Sequence, residues 1–219
     1  AWKYLMDTNY FLAPYGLTTA EQCHPGFKVV YEGHECQWNG PSWPFATSMT
    51  LIALANLLNE QNQRYVSNRD YYTLLSIYAK SQYHLLENGL RIPWIDENLN
   101  PYTGDWLSRT ILLQKGSILK ERGRDYNHSS FCDLVITGLI GLRPREDNIL
   151  VVNPQITEGM WDYFCLDNIL YHGKIITILY DKTGEKYNKG KGFSIFVNGQ
   201  RKAFSPVLSK VRIIKNQTS

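Results

Sequence analysis

The chain has no stretch able to cross a bilayer: its most apolar run, over 51–58, is short and broken by Asn56, whereas a spanning helix needs about 20 apolar residues. Its first residues, Ala1-Trp2-Lys3-Tyr4-Leu5, have neither the charged flank nor the unbroken apolar stretch of a signal peptide. Cysteine is sparse. Cys23, Cys36, Cys132 and Cys165 lie far apart with no CxxC pair, which argues against a zinc site and against a disulfide framework; buried thiols are expected instead. An excess of charge of one sign is also missing, since 23 Lys+Arg against 20 Asp+Glu leaves +3. Without a concentrated cationic face there is nothing to displace counterions, so no nucleic-acid partner is expected, and no membrane partner either. The five histidines, His24, His34, His84, His128 and His172, are scattered, and neither a metal nor a cofactor is expected. No internal repeat or low-complexity stretch is present.

Aromatic residues are abundant. Six Trp, 15 Tyr and 8 Phe make up 13% of 219 residues, a supply of flat amphipathic rings that suits either a sugar cleft or a thick core. The pattern changes character near residue 148. Before it, four helical stretches are expected: one starting at Trp2 with no capping residue ahead of it, one over 42–59 that is apolar almost all round and therefore buried, one from Ser67 to about Gly89, and one from Ser129 or Ser130 to Pro144. Ser67-Asn68-Arg69-Asp70 has the S-x-x-D form of a capping box. Between the third and fourth lie some forty residues with only a weak helical patch at 110–114, and long connections of this kind are usually functional. After 148 the period becomes two around 175–180 and 193–197, followed by Asn198-Gly199, a strong hairpin signal, and a last strand near 211–213. The expected fold is α+β, with a helical domain over 1–148 and a small antiparallel β-domain over 149–219.

Two loops look chemical. In the first, Glu35-Cys36-Gln37-Trp38-Asn39-Gly40-Pro41-Ser42-Trp43-Pro44-Phe45 places two indoles around Asn-Gly-Pro at a helix entrance. Those indoles either stack on sugar rings, with Asn39 and Gln37 bonding hydroxyls, or seal the helix end into the core. In the second, Trp94, Asp96, Glu97, Tyr102, Asp105 and Trp106 gather carboxylates among aromatics. Glycoside hydrolysis needs two carboxyl groups, an acid for the leaving oxygen and a base for water, and an aromatic wall can tune one of them.

Three pieces, Pro14-Tyr15-Gly16-Leu17, then Trp38 through Pro44, then Glu97-Asn98-Leu99-Asn100-Pro101-Tyr102-Thr103-Gly104, resemble the C-terminal part of the (α/α)6-toroid glycoside hydrolases of family 63 and the mannosylglycerate-hydrolase-like group. The segment from Tyr126 to Phe131 resembles the start of the toroid's final helix, and the resemblance covers about 1–145. It implies a partial toroid of helical hairpins. Glu97 would be the general base of an inverting mechanism, with Trp38, Asn39, Gly40, Trp43, Trp94 and Tyr102 against the sugar and Tyr15 and Gly16 near the rim. The family's general acid lies upstream of the Pro-Tyr-Gly piece. The resemblance therefore implies an oligosaccharide or glycoside substrate with α-linked glucose or mannose, and a missing N-terminal part of the toroid from the same or another chain. A carboxyl within this chain would have to be Asp7, Asp105 or Asp125. The alternatives are a non-catalytic carbohydrate-binding or assembly protein on the same scaffold, and a toroid phosphorylase or lyase. A soluble protein is expected, with a periplasmic or extracellular setting compatible. Two N-glycosylation patterns occur, at Asn127 and Asn216.

Overall fold

The computed structural model describes residues 1–29, 34–126, 129–157 and 159–214. The chain is α+β, with mixed helices and antiparallel sheets, and divides into two compact units, Ala1–Cys132 and Asp133–Ser219.

The first unit opens with a 3-10 turn, Trp2–Tyr4, and a two-strand ribbon, β1 (Leu12–Ala13) and β2 (Gly16–Leu17). Helix α1 runs over Pro44–Glu60, entered through Trp43 in an extended conformation; proline fits the first turn because its absent N–H would be unpaired there. Helix α2, Asn68–Ser81, begins at a complete capping box: Ser67 N–H donates to Asp70 at 2.8 Å and Asp70 N–H donates back to Ser67 Oγ at 3.3 Å. The two helices pack through Leu51, Leu54 and Ala55 on one side and Tyr71, Leu74, Leu75 and Tyr78 on the other.

Two expectations for these helices fail. Helix α1 is not buried all round, since Phe45, Met49 and Ile52 form an exposed row. Helix α2 stops eight residues short of Gly89: the chain forms a hairpin instead, β3 (Tyr83–Leu85) with β4 (Arg91–Pro93). Gly89, at φ 80°, serves that turn and not a helix end.

The expected helical patch at 110–114 is a full helix, α3, Leu107–Gln114. The last helix, α4, is short, Ser130–Asp133, and continues as a π-helical turn over Leu134–Leu139. The unit boundary thus falls inside this helical stretch, ahead of the sequence change near 148. The reason is backbone pairing: Asn153 N–H donates to Gly141 at 2.9 Å and Gln155 N–H to Leu139 at 2.8 Å, joining the turn to the strands that follow.

In the second unit β5 (Leu142–Arg143), β6 (Ile149–Val152) and β11 (Val211–Ile214) form one antiparallel sheet. The other, in order β10-β9-β8-β7, comprises β7 (Tyr163–Tyr171), β8 (Lys174–Asp181), β9 (Gly192–Val197) and β10 (Gln200–Ser205). Phe164, Ile176, Ile178, Phe193 and Ile195 point inward at period two. The cysteines depart from expectation: Cys23, Cys132 and Cys165 are exposed and Cys36 half-buried. Cys165 follows the inward Phe164 on β7, so the pleat turns its thiol outward.

Candidate active site

The two loops singled out from sequence are bonded to each other. Ser42 N–H donates to the Leu99 carbonyl at 3.0 Å and Leu99 N–H donates back at 2.9 Å, a single antiparallel bridge between the Trp-Asn-Gly-Pro turn and the Glu97 loop. Asn98, fully buried, locks the second loop further. Its Nδ2 donates to the Glu35 carbonyl at 3.1 Å, and its Oδ1 accepts Ser108 N–H from the first turn of α3 at 2.9 Å.

Glu97 lies in this framework with its side chain 18% exposed. Its Oε2 accepts from Ser108 Oγ at 3.0 Å and from Arg122 at 3.3 Å. Its Oε1 has no hydrogen-bond partner among the described residues. Arg122 also reaches Glu35 at 2.7 Å, so one guanidinium bridges two carboxylates.

The neighbouring Asp96 is more deeply buried. It is 1% exposed and accepts from Glu97 N–H at 2.7 Å and Trp94 Nε1 at 3.4 Å. Burial pushes its carboxyl above the usual range, the adjacent Glu97 charge adds to this, and the two hydrogen bonds oppose it. The backbone of Gly123 lies against Asp96, leaving no room for a Cβ there.

The indoles divide in role. Trp43 is 2% exposed, its Nε1 donating to the Gln37 carbonyl at 2.6 Å. One face is covered by Trp38, stacked at 4.0 Å, and Tyr126 approaches it edge-on at 6.1 Å. Trp43 therefore seals the helix entrance, whereas Trp38 remains 47% exposed and lines a 520 Å³ groove with Leu17, Thr19, Met49 and Ala53. Tyr126 ties this aromatic group to the carboxylate: burial raises its phenol, and the nearby Glu97 charge raises it further.

The remaining expected residues are held by structural contacts. Gly40 is buried where a Cβ would strike the Lys28 carbonyl, and Gly16, at φ 145°, where one would strike Ser42 Oγ. Packing accounts for glycine at both positions. Asn39 donates from Nδ2 to the Gly26 carbonyl at 2.9 Å. Tyr15 packs its ring on Gly104 and bonds Pro101 through its backbone, while the exposed Tyr102 donates its hydroxyl to Gln22 at 2.6 Å.

Trp94 lines a separate 270 Å³ cavity with Tyr78, Gln82 and Phe131, and Arg109 and Arg124 lie over its ring. Of the carboxyls considered as acids, Asp7 accepts Asn9 N–H, Asp105 accepts the Thr110 hydroxyl and Asp125 is exposed. Asn127 and Asn216 lie outside the described residues, as does part of the segment from Tyr126 to Phe131.

Arg122, Ser108 and Gly123 carry no motif signal in the sequence. Glu35 opens the first loop, and its pairing with Arg122 becomes visible only in the fold.

Residues 1–129 match the family described as mannosylglycerate hydrolase MGH1-like glycoside hydrolase domain. The chain belongs to this family. Of the two groups the motifs resembled, the mannosylglycerate-hydrolase-like one is thus the one matched; with family 63 the shared ground is glycoside-hydrolase kinship. Residues 142–203 of this MGH1-like chain match the glycosyl hydrolase family 65 C-terminal domain, placing a second glycoside-hydrolase module on the β-sheet unit. A solved chain named "Sialidase" is similar at 46% identity and a TM-score of 0.84, over 97% of this chain and 18% of its own length. The MGH1-like chain therefore spans less than a fifth of that relative. No helix among the described residues is long and apolar enough to cross a membrane.

Proposed function

We propose that this chain carries the general base, Glu97, and part of the sugar cleft of an inverting glycoside hydrolase acting on α-linked glucosides or mannosides. The observation that carries the reading is the posture of Glu97: Oε2 is held by Ser108 and Arg122, and Oε1 is left without a partner among the described residues. A carboxylate held by one oxygen can take a proton with the other. In the inverting scheme Oε1 removes a proton from water as that water attacks the anomeric carbon. A carboxylic acid on the opposite side, ~6.5–9.5 Å away, gives its proton to the leaving oxygen.

Asp7, Asp105 and Asp125 are poor candidates for that acid, Asp7 being bonded to its own turn, Asp105 to Thr110 on α3, and Asp125 exposed. The acid therefore belongs to a part of the protein outside these residues, as does the rest of an (α/α)6 toroid. The exposed apolar row of α1 supports a larger helical body around this unit. Trp38 is the platform for sugar stacking, since Trp43 is sealed. Fold analogy alone would leave the chemistry open, so the assignment rests on Glu97.

The test is Glu97→Gln in the whole protein, assayed on aryl α-glucosides and α-mannosides. Turnover should fall by about 10²–10⁴-fold while calorimetry still detects sugar binding, and NMR of the wild-type reaction should show the β-anomer appearing first. Sugar binding with no turnover in the wild type would point to the non-catalytic binding alternative, turnover unchanged in Glu97→Gln would remove Glu97 as the base, and an α-anomer appearing first would remove the inverting assignment.

A further inference from the structure

The mechanism above uses Glu97 and leaves its surroundings unexplained. Those surroundings form a closed ring. Glu97 Oε2 receives Arg122 at 3.3 Å, and Arg122 also holds Glu35 at 2.7 Å. The Glu35 carbonyl receives Asn98 Nδ2 at 3.1 Å, Asn98 Oδ1 receives Ser108 N–H at 2.9 Å, and Ser108 Oγ returns to Glu97 Oε2 at 3.0 Å. Three chain segments meet in it: the Glu35 loop, the loop carrying Glu97 and Asn98 with the start of α3, and the turn after α3.

Two carboxylates on one guanidinium invite the idea that Glu35 is the acid partner of Glu97. The chemistry runs against it. Hydrogen bonding to backbone, with the Arg122 charge and Lys115 at 3.7 Å in support, holds Glu35 below the usual carboxylate range despite the opposing effect of burial. A carboxylate favoured in its ionised form has no proton to give a leaving group. Glu35 is instead suited to brace Arg122, its side chain being only 12% exposed.

We propose that Arg122, braced by Glu35, is a positioning residue for Glu97: it fixes Oε2 and so sets the direction in which Oε1 meets the reacting water. The charged and titratable groups around Glu97 are Asp96 on its own loop, Arg122 and Tyr126 on the turn after α3, and Glu35 with Lys115 beyond Arg122. Arg109 on α3 acts on Asp96 and pairs with Glu121 at 3.2 Å. Arg122 is the cation directly on the Glu97 carboxylate among the described residues.

The inference rests on the base reading of Glu97, so its test has an arm that does not depend on turnover. In the whole protein labelled with 13Cδ-glutamate, the Glu97 resonance is assigned by its loss in Glu97→Gln. Arg122→Gln should displace that resonance and lower kcat by up to about 10²-fold with KM little changed, and Arg122→Lys, which keeps a charge and guards against loss of fold, should recover part of both. Glu35→Gln should lower kcat less, because the cation stays while its brace is gone. An undisplaced Glu97 resonance in Arg122→Gln overturns the proposal whatever the activity. A displaced resonance with turnover indifferent to Glu97→Gln instead removes the base assignment itself.

Discussion

Adjacent acids in one loop have been given opposite environments, and the difference is readable in how stability should respond to pH. Asp96 is 1% exposed and its carboxyl lies above the usual range, through burial first and the Glu97 charge second. As pH rises past about 3.9 the unfolded chain ionises Asp96 first, while the folded chain still holds the proton. Stability therefore falls through the window between the unfolded and the raised native value and is level above it. Asp96→Asn does not titrate, so the stability of the variant relative to wild type should increase as pH rises through that window. Urea unfolding at a series of pH values measures this, and a difference that shrinks with rising pH would contradict the account. Residues of this kind were only half visible in sequence. Glu97 stood out because its neighbours Asn98 to Gly104 form a motif, but Arg122 acts on it from 25 positions away. A single charge at that separation has no periodicity or spacing to betray it. Gly123 was equally silent, since its close approach to Asp96 exists only once the turn has folded.

Among the elements, α2 shows where local chemistry suffices and where it stops sufficing. Its start is dictated by four residues, and both reciprocal bonds of the capping box form. Ser67→Ala removes the Oγ acceptor of Asp70 N–H and should cost about 1 kcal/mol, measured by chemical denaturation; Ser67→Asn should be near neutral, and equal losses in both would place the stabilisation elsewhere. The end of α2 was not legible. Leu85 and Leu86 continue the helical spacing, and Gly89 imitates a terminal glycine, yet Gln82 leaves the helix and β3 pairs with β4 around the same glycine. Three-residue strands are too short to show alternation. In the second unit β8 and β9 fall on the expected period-two stretches, and Asn198 at φ 48° and Gly199 at φ 76° make the hairpin turn into β10. Strand β7 escaped detection because its register shifts between Leu166 and Ile169, where Asn168 takes φ 57°, and the alternation breaks there.

At the scale of the whole molecule, helix α1 poses the largest open energetic question. Its inner side is consumed by α2, and its outer side presents Phe45, Met49 and Ile52, residues that leave water favourably when a partner surface exists. All-round apolar character means full burial only for a helix with neighbours on every side. If α1 belongs to a helical body larger than this unit, as the toroid proposal requires, those outer side chains are core positions in the whole protein. Substituting Met49→Lys together with Ile52→Lys then places two ammonium groups in apolar surroundings, a change that should cost at least about 3 kcal/mol in the whole protein. If the row is instead bathed in solvent, the same pair should change stability by no more than about 0.5 kcal/mol. The two outcomes are far enough apart for thermal or urea unfolding to separate them. Sugar-binding calorimetry on the two single variants also tells a packing defect from a disturbed cleft, because Met49 borders the groove that Trp38 lines and Ile52, one turn along, does not.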